Sequence, residues 1–66
     1  MELHAEHIRH LSREDQSDTI DRWIAHQIDC LDLLLRDGVI SDAQWDARYA
    51  AYSKHAESVF LALTRS

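Results

Sequence analysis

Apolar residues recur at helical spacing over residues 13–37, and this pattern predicts an α-helix. The helix could begin anywhere within 12–18, because Ser12 and Ser17 are both suitable N-cap residues. Its apolar positions span roughly 160° of a helical wheel, whereas a helix facing one neighbour needs only ~100°. We therefore expect this helix to contact two or more others. Its predicted core or dimer-interface positions are Ile20, Trp23, Ile24, Gln27, Leu31 and Leu34.

A second helix is predicted over 42–64, with a narrower apolar stripe. The stripe begins at Trp45 and alternates spacings of four and three residues, which is the rhythm of a coiled-coil seam. This helix should therefore bury one stripe against its neighbour. Its predicted core or dimer-interface positions are Tyr49, Tyr52, Val59, Phe60 and Leu63.

Residues 38–41 form the predicted turn, or hinge, between these helices. Gly38 is the only glycine and follows a leucine-rich run, which is typical of a residue that ends a helix in the left-handed conformation. Ser41 or Asp42 can cap the next helix, with Gln44 placed to reach back to the cap. Because the connection is short, the two helices are expected to pack antiparallel.

Residues 2–11 form a third, short and weakly amphipathic helical segment that must dock on the others to be stable. The prediction is a single all-α domain over 1–66, an antiparallel helical hairpin with a short N-terminal helix. One wide apolar face against one narrow face leaves apolar surface uncovered. A chain of 66 residues also buries little surface alone, so we expect a homodimer that forms a four-helix bundle.

The hinge carries a spaced motif, Leu31-x-x-Leu34-x-x-x-Gly38-x-Ile40-Ser41-x-x-x-Trp45. Over roughly residues 28–52 it resembles the helical-hairpin "short C-terminal domain" (SHOCT) pattern, in which a leucine pair precedes Gly-x-Ile-(Thr/Ser) and an aromatic residue follows. That resemblance implies oligomerisation and protein contact. In size, acidity and architecture the chain also resembles small phage- or plasmid-encoded helical inhibitors of host regulators, such as quorum-sensing anti-activators. This second resemblance implies a regulatory, inhibitory role.

The charge balance narrows the class of partner. Twelve acidic and seven basic residues give a formal net charge of −5, which disfavours direct binding to nucleic acid or to an anionic membrane. A basic or mixed protein surface is the expected partner. One cysteine, no signal-peptide pattern at residues 1–11 and no apolar run approaching ~20 residues favour a cytoplasmic protein.

Candidate chemistry is sparse, and we expect a protein that is not an enzyme and uses no cofactor. A single glycine cannot build a phosphate-binding loop, and no Ser-His-Asp spacing is present. Cys30 lies at the edge of the apolar arc, which predicts a small buried hydrophobe rather than a nucleophile. His4, His7 and His10, spaced three apart, leave metal binding open as an alternative.

The expected function is that of a small acidic module that docks on a larger protein and modulates or inhibits it. Apolar anchors with acids at the rim would recognise a basic partner. The predicted partner-binding residues are Leu33, Val39, Trp45, Asp29 and Asp32. The alternative is a DNA mimic or transcriptional regulator that acts through an acidic helix face, which carries Asp18, Asp21, Asp29 and Asp32.

Overall fold

The computed structural model describes residues 3–65, which form three α-helices and no strand. The helices are α1 (Ala5–Ile8), α2 (Arg13–Arg36) and α3 (Asp42–Thr64). The two long helices, α2 and α3, pack against each other in a molecule of 41 × 16 × 15 Å. The all-α prediction is therefore confirmed for the described part of the chain.

The direction of α3 relative to α2 follows from contacts at two levels of the hairpin. Near the hinge, the Trp45 indole Nε1–H donates to Asp32 Oδ1 at 3.0 Å. Further from the hinge, the Trp23 ring packs edge-on against Tyr52, with centroids 5.7 Å apart. From the first contact to the second, the residue number rises on α3 and falls on α2. The two helices therefore run antiparallel as a hairpin.

The hinge is closed by a Schellman motif. Gly38 has a φ of +75°, in the left-handed region. Its N–H donates to the Leu35 carbonyl at 3.1 Å, and the Val39 N–H donates to the Leu34 carbonyl at 2.9 Å. These two bonds satisfy carbonyls that the end of α2 would otherwise leave without partners. The chain then turns at once toward α3.

The start of α3 is a capping box centred on Ser41. The Gln44 N–H donates to Ser41 Oγ at 3.2 Å, and the Ser41 N–H donates to Gln44 Oε1 at 2.8 Å. Of the two candidate caps, Ser41 is therefore the residue used, and Asp42 is the first residue of the helix. Both ends of the hinge are stabilised by residues within a few positions of the turn.

The N-terminal helix is shorter than the predicted segment over 2–11, of which Glu2 lies outside the described residues. The α1 helix spans only four residues, and its N-cap His4 makes no side-chain cap. Ser12 then takes an extended backbone and caps α2, accepting the Asp15 N–H at 3.2 Å. The chain is therefore not one continuous helix here: α1 ends at its C-cap, Arg9, and Ser12 caps the start of α2.

Hydrogen bonds from the side chains of Gln16 and His55 attach this N-terminal segment, residues 3–11, to the hairpin. The Gln16 side-chain amide lies within 3.1–3.3 Å of the carbonyls of Ile8, Arg9 and Leu11, which it bridges as a donor. The His55 ring Nε2–H donates to the Leu3 carbonyl at 2.7 Å. The segment thus contacts both long helices, at the end of the hairpin away from the hinge.

The main core lies at this open end. The cluster comprises Leu3, Ile8, Ile20 and Val59, all buried. Trp23, Ala56 and Leu63 are among the half-buried residues that pack against it. At the hinge end, Leu31 and Ile40 are buried instead. Leu3, Ile8 and Ile40 were absent from the predicted core, while Ile24, Gln27, Leu34 and Tyr52 are half-buried.

Three predicted positions are not buried within the single chain. Tyr49 and Phe60, assigned to the core or a dimer interface, are 40% and 51% exposed. The prediction that Cys30 is buried is wrong, because its side chain is exposed. Cys30 is not among the residues that line the groove between the N-terminal segment and α2, whereas Gln27 is.

Candidate functional site

A shallow pocket lies on the outer surface of α2 near the hinge. It has a volume of about 350 Å³ and is lined by Asp29, Asp32, Leu33 and Arg36. Helical spacing brings these residues to one face, because positions three and four apart are neighbours on a helix surface. Leu33 is 50% exposed, so an apolar side chain stands among charged ones. Three of the five predicted partner-binding residues therefore share one pocket.

Asp32 connects this pocket to α3. Its Oδ1 accepts the Trp45 indole N–H at 3.0 Å, and the Trp45 ring stacks on Tyr49 with centroids 5.2 Å apart and planes 5° from parallel. The hydrogen bond holds the half-buried indole in place beside the pocket. In this stacked pair, Tyr49 is 40% exposed.

Val39 lies in the hinge itself, with its side chain 66% exposed. Its backbone N–H is bound in the Schellman motif, so the side chain sits on an ordered turn. The next residue, Ile40, is buried. We call the set Asp29, Asp32, Leu33, Val39 and Trp45 the hinge-end surface.

The charge of this region is mainly negative. Asp29, Asp32 and Asp37 are exposed carboxylates, and Arg36 is the cation among them. Arg36 Nε lies 3.8 Å from Asp37 Oδ1, and both side chains are largely exposed. An ion pair this open to solvent contributes little to stability. The surplus of carboxylates instead makes the surface complementary to a basic one.

Cys30 and His26 come together on the surface of α2. Cys30 Sγ lies 3.8 Å from His26 Nε2, as their i,i+4 spacing allows. Nucleophilic chemistry also needs an enclosed position for a substrate. His26 lines a groove toward the N-terminal segment, but Cys30 does not. The other histidine of the hairpin, His55, does not serve Cys30 as a base, because its ring N–H donates to the Leu3 carbonyl.

The N-terminal histidines do not converge with other ligands. The rings of His4 and His7 meet edge to face, with centroids 5.1 Å apart. Within residues 3–65, no group of three or more His, Cys, Asp or Glu side chains is arranged to hold a metal ion. Structural metal sites recruit about four such ligands, so the metal-binding alternative gains no support from this arrangement.

Comparisons with known protein-family models, with curated proteins and with solved structures find no match to this chain. None of the helices in the described part combines the length and apolar character that crossing a bilayer requires.

Proposed function

We propose that this chain is a small, non-enzymatic, cytoplasmic protein-binding module that docks on a larger protein through the hinge-end surface and modulates or inhibits it. The observation that carries the proposal is the exposed Leu33 in one pocket with Asp29 and Asp32, with the Trp45 indole bound to the Asp32 carboxylate. Exposed apolar side chains ringed by charge are typical of protein interaction sites.

The mechanism is recognition by an ordered helix face and turn. Leu33 and Val39 supply the apolar anchors, and the Trp45 indole is already fixed before binding, which lowers the entropy cost of association. Asp29 and Asp32 favour a basic partner and speed its approach. Occupying a functional surface of that partner would inhibit it, as in the small helical inhibitors that the chain resembles.

The test uses the chain as bait, identification of the captured protein by mass spectrometry, and titration of that purified partner. Leu33→Ala should weaken binding roughly tenfold, because truncating an interface anchor costs about 1–2 kcal/mol. Leu61→Ala is the matched control, since Leu61 is a comparably exposed leucine on α3. If both variants lower the affinity equally, the hinge-end surface is not the binding site.

A second pair of variants measures the acidic contribution. Asp32→Asn removes the charge but keeps an oxygen that can accept the Trp45 N–H, and Asp29→Asn removes the neighbouring charge. Asp18→Asn, at an exposed site toward the other end of α2, is the control. A module anchored by apolar groups loses more affinity with Leu33→Ala than with these changes. The reverse order would favour the DNA-mimic alternative.

We also propose that two copies pair into a four-helix bundle. The N-terminal segment covers the side of the hairpin where Trp23 meets His55. Asp32 is nine residues after Trp23 and so lies about 180° away on α2, at the edge of the uncovered side. The proposed dimer face is on α3, which leaves Leu33 on α2 available to another protein. Tyr49 and Phe60 are three helical turns apart on α3, and both are exposed. A second copy would cover them.

Sedimentation equilibrium tests the dimer. Phe60→Ser should shift the chain from dimer to monomer at micromolar concentration while helix content is retained. The neighbouring Leu61→Ser is the control, because the Leu61 side chain is similarly exposed but lies on another side of α3. A wild-type chain that sediments as a monomer across micromolar concentrations would show that the dimer proposal is wrong.

A further inference from the structure

A groove lies between the N-terminal segment and α2. It has a volume of about 870 Å³, within the range of small-molecule sites in proteins. Its walls are mostly apolar, with Leu3 and Ile8 on the N-terminal segment and Trp23 on α2. Leu3 and Ile8 are part of the buried core, so these walls are ordered.

The polar residues of this groove differ in charge from the rest of the molecule. They include Arg22 and three histidines, His4, His7 and His26, and none of the lining residues among 3–65 is an aspartate or a glutamate. The whole chain carries twelve acidic residues and a net charge of −5. Among the described lining residues the groove thus has a cation and no carboxylate, which favours a negative ligand over a positive one.

The occupant follows from combining these properties. The apolar walls require an apolar body, and the one lining guanidinium requires an anionic head group that it can bind. A polyanion or an acidic peptide would extend beyond the groove onto an acidic surface and be repelled. We propose that the groove binds a single organic anion with an apolar body, of the medium-chain carboxylate class. Its carboxylate lies at Arg22, flanked by the histidines, and its chain lies against Leu3, Ile8 and Trp23.

The site is independent of the hinge-end surface. Arg22, Trp23 and His26 lie one to two turns before Asp29 on α2, and the N-terminal wall belongs to the opposite end of the hairpin. Ligand binding here would add contacts between the N-terminal segment and α2. The ligand would therefore stabilise the docked segment as well as occupy the groove.

The test is a titration with decanoate, followed by calorimetry and by NMR of the backbone amides and the two indole N–H groups. We expect saturable shifts at the Trp23 indole and at residues 3–8, with the Trp45 indole unchanged. Decan-1-ol, which has the same chain and no charge, should bind more weakly. Arg22→Gln should weaken decanoate binding about tenfold, the scale of one hydrogen bond to a charged group.

The controls separate the charge at this site from the charge of the whole chain. Arg36→Gln removes an exposed arginine from the other end of the same helix and should leave decanoate affinity unchanged. Arg22→Lys should retain most of the binding, because the positive charge remains. Leu33→Ala, which tests the hinge-end surface, should not affect it.

Three results would overturn the proposal. Equal affinities for Arg22→Gln and Arg36→Gln would show that Arg22 does not bind the head group. Equal binding of decan-1-ol would show that the site does not select an anion. Decanoate shifts at Trp45 without shifts at Trp23 would place the binding elsewhere. Far-UV circular dichroism of each variant checks that the fold is retained, which we expect for Arg22 variants because Arg22 is exposed and outside the core.

Discussion

Replacing Gly38 with valine tests the hinge on which the hairpin depends. Gly38 has a φ of +75°, which an L-residue adopts at a cost of roughly 1–2 kcal/mol, and more when it is β-branched. A Cβ at this position would have no neighbouring heavy atom within 4 Å. The cost is therefore that of the left-handed backbone itself, since an added Cβ meets nothing beyond the two chain neighbours. Reduced freedom of the unfolded chain offsets about 0.4–1 kcal/mol of it.

The chain could avoid the left-handed conformation by rearranging the turn, but this has a similar cost. It would break the bonds from the Gly38 N–H to Leu35 and from the Val39 N–H to Leu34. Each is worth a net ~0.5–1.5 kcal/mol. By either route, Gly38→Val should lower the free energy of unfolding by about 1–2 kcal/mol. For a domain of this size that corresponds to a fall in Tm of roughly 4–16 °C.

Urea unfolding followed by far-UV circular dichroism measures this change, at one fixed protein concentration so that any self-association is held constant. Gly38→Asn is the matched control, because asparagine tolerates the left-handed region better than other residues with a Cβ. We expect stability to fall in the order glycine, asparagine, alanine, valine. A Gly38→Val protein as stable as the wild type would refute the left-handed cap.

Two further predictions concern the other contacts that fix the fold. Gln16→Ala removes the amide that bridges three carbonyls of the N-terminal segment, so stability should fall by about 1 kcal/mol and amide exchange over residues 5–11 should accelerate. Unchanged exchange there would mean that Gln16 does not hold the segment. Ser41→Ala removes the N-cap of α3 and should cost about 1 kcal/mol in urea unfolding, whereas Ser58→Ala, at an exposed site within α3, should cost less. Equal losses would argue against the capping box.

The hinge could be predicted from the sequence because its determinants are local. Gly38 follows a leucine-rich run, and Ser41 and Gln44 have the spacing of a capping box. The bonds that form join residues three to five positions apart. Interactions of this range depend little on the rest of the fold, so a short stretch of sequence is enough to infer them.

The sequence predicts that the N-terminal segment docks but not where it docks, because its position depends on contacts between distant residues. The His55 ring binds a carbonyl that is 52 residues away in sequence. A wheel places Leu3 on one side of a weak helix but does not show what covers it. Gln16 lies on the same side of α2 as Gln27 and Leu34. A polar residue among apolar positions was the available sign that its side chain has a hydrogen-bond partner within the fold.

The extent of this docking also explains why the candidate binding surface lies where it does. A wide apolar arc on α2 needs a third element beside α3, and the N-terminal segment supplies one at the open end, where it packs in the core with Ile20 and Val59. Nearer the hinge, two helices alone bury Leu31 and Ile40 but leave Leu33 and Val39 exposed. Two leucines only two residues apart therefore have different roles. Leu31→Ala should lower the free energy of unfolding by ~2–5 kcal/mol, whereas Leu33→Ala should leave it nearly unchanged. A large stability loss for Leu33→Ala would mean that this leucine is a structural residue and not an anchor held available for another chain.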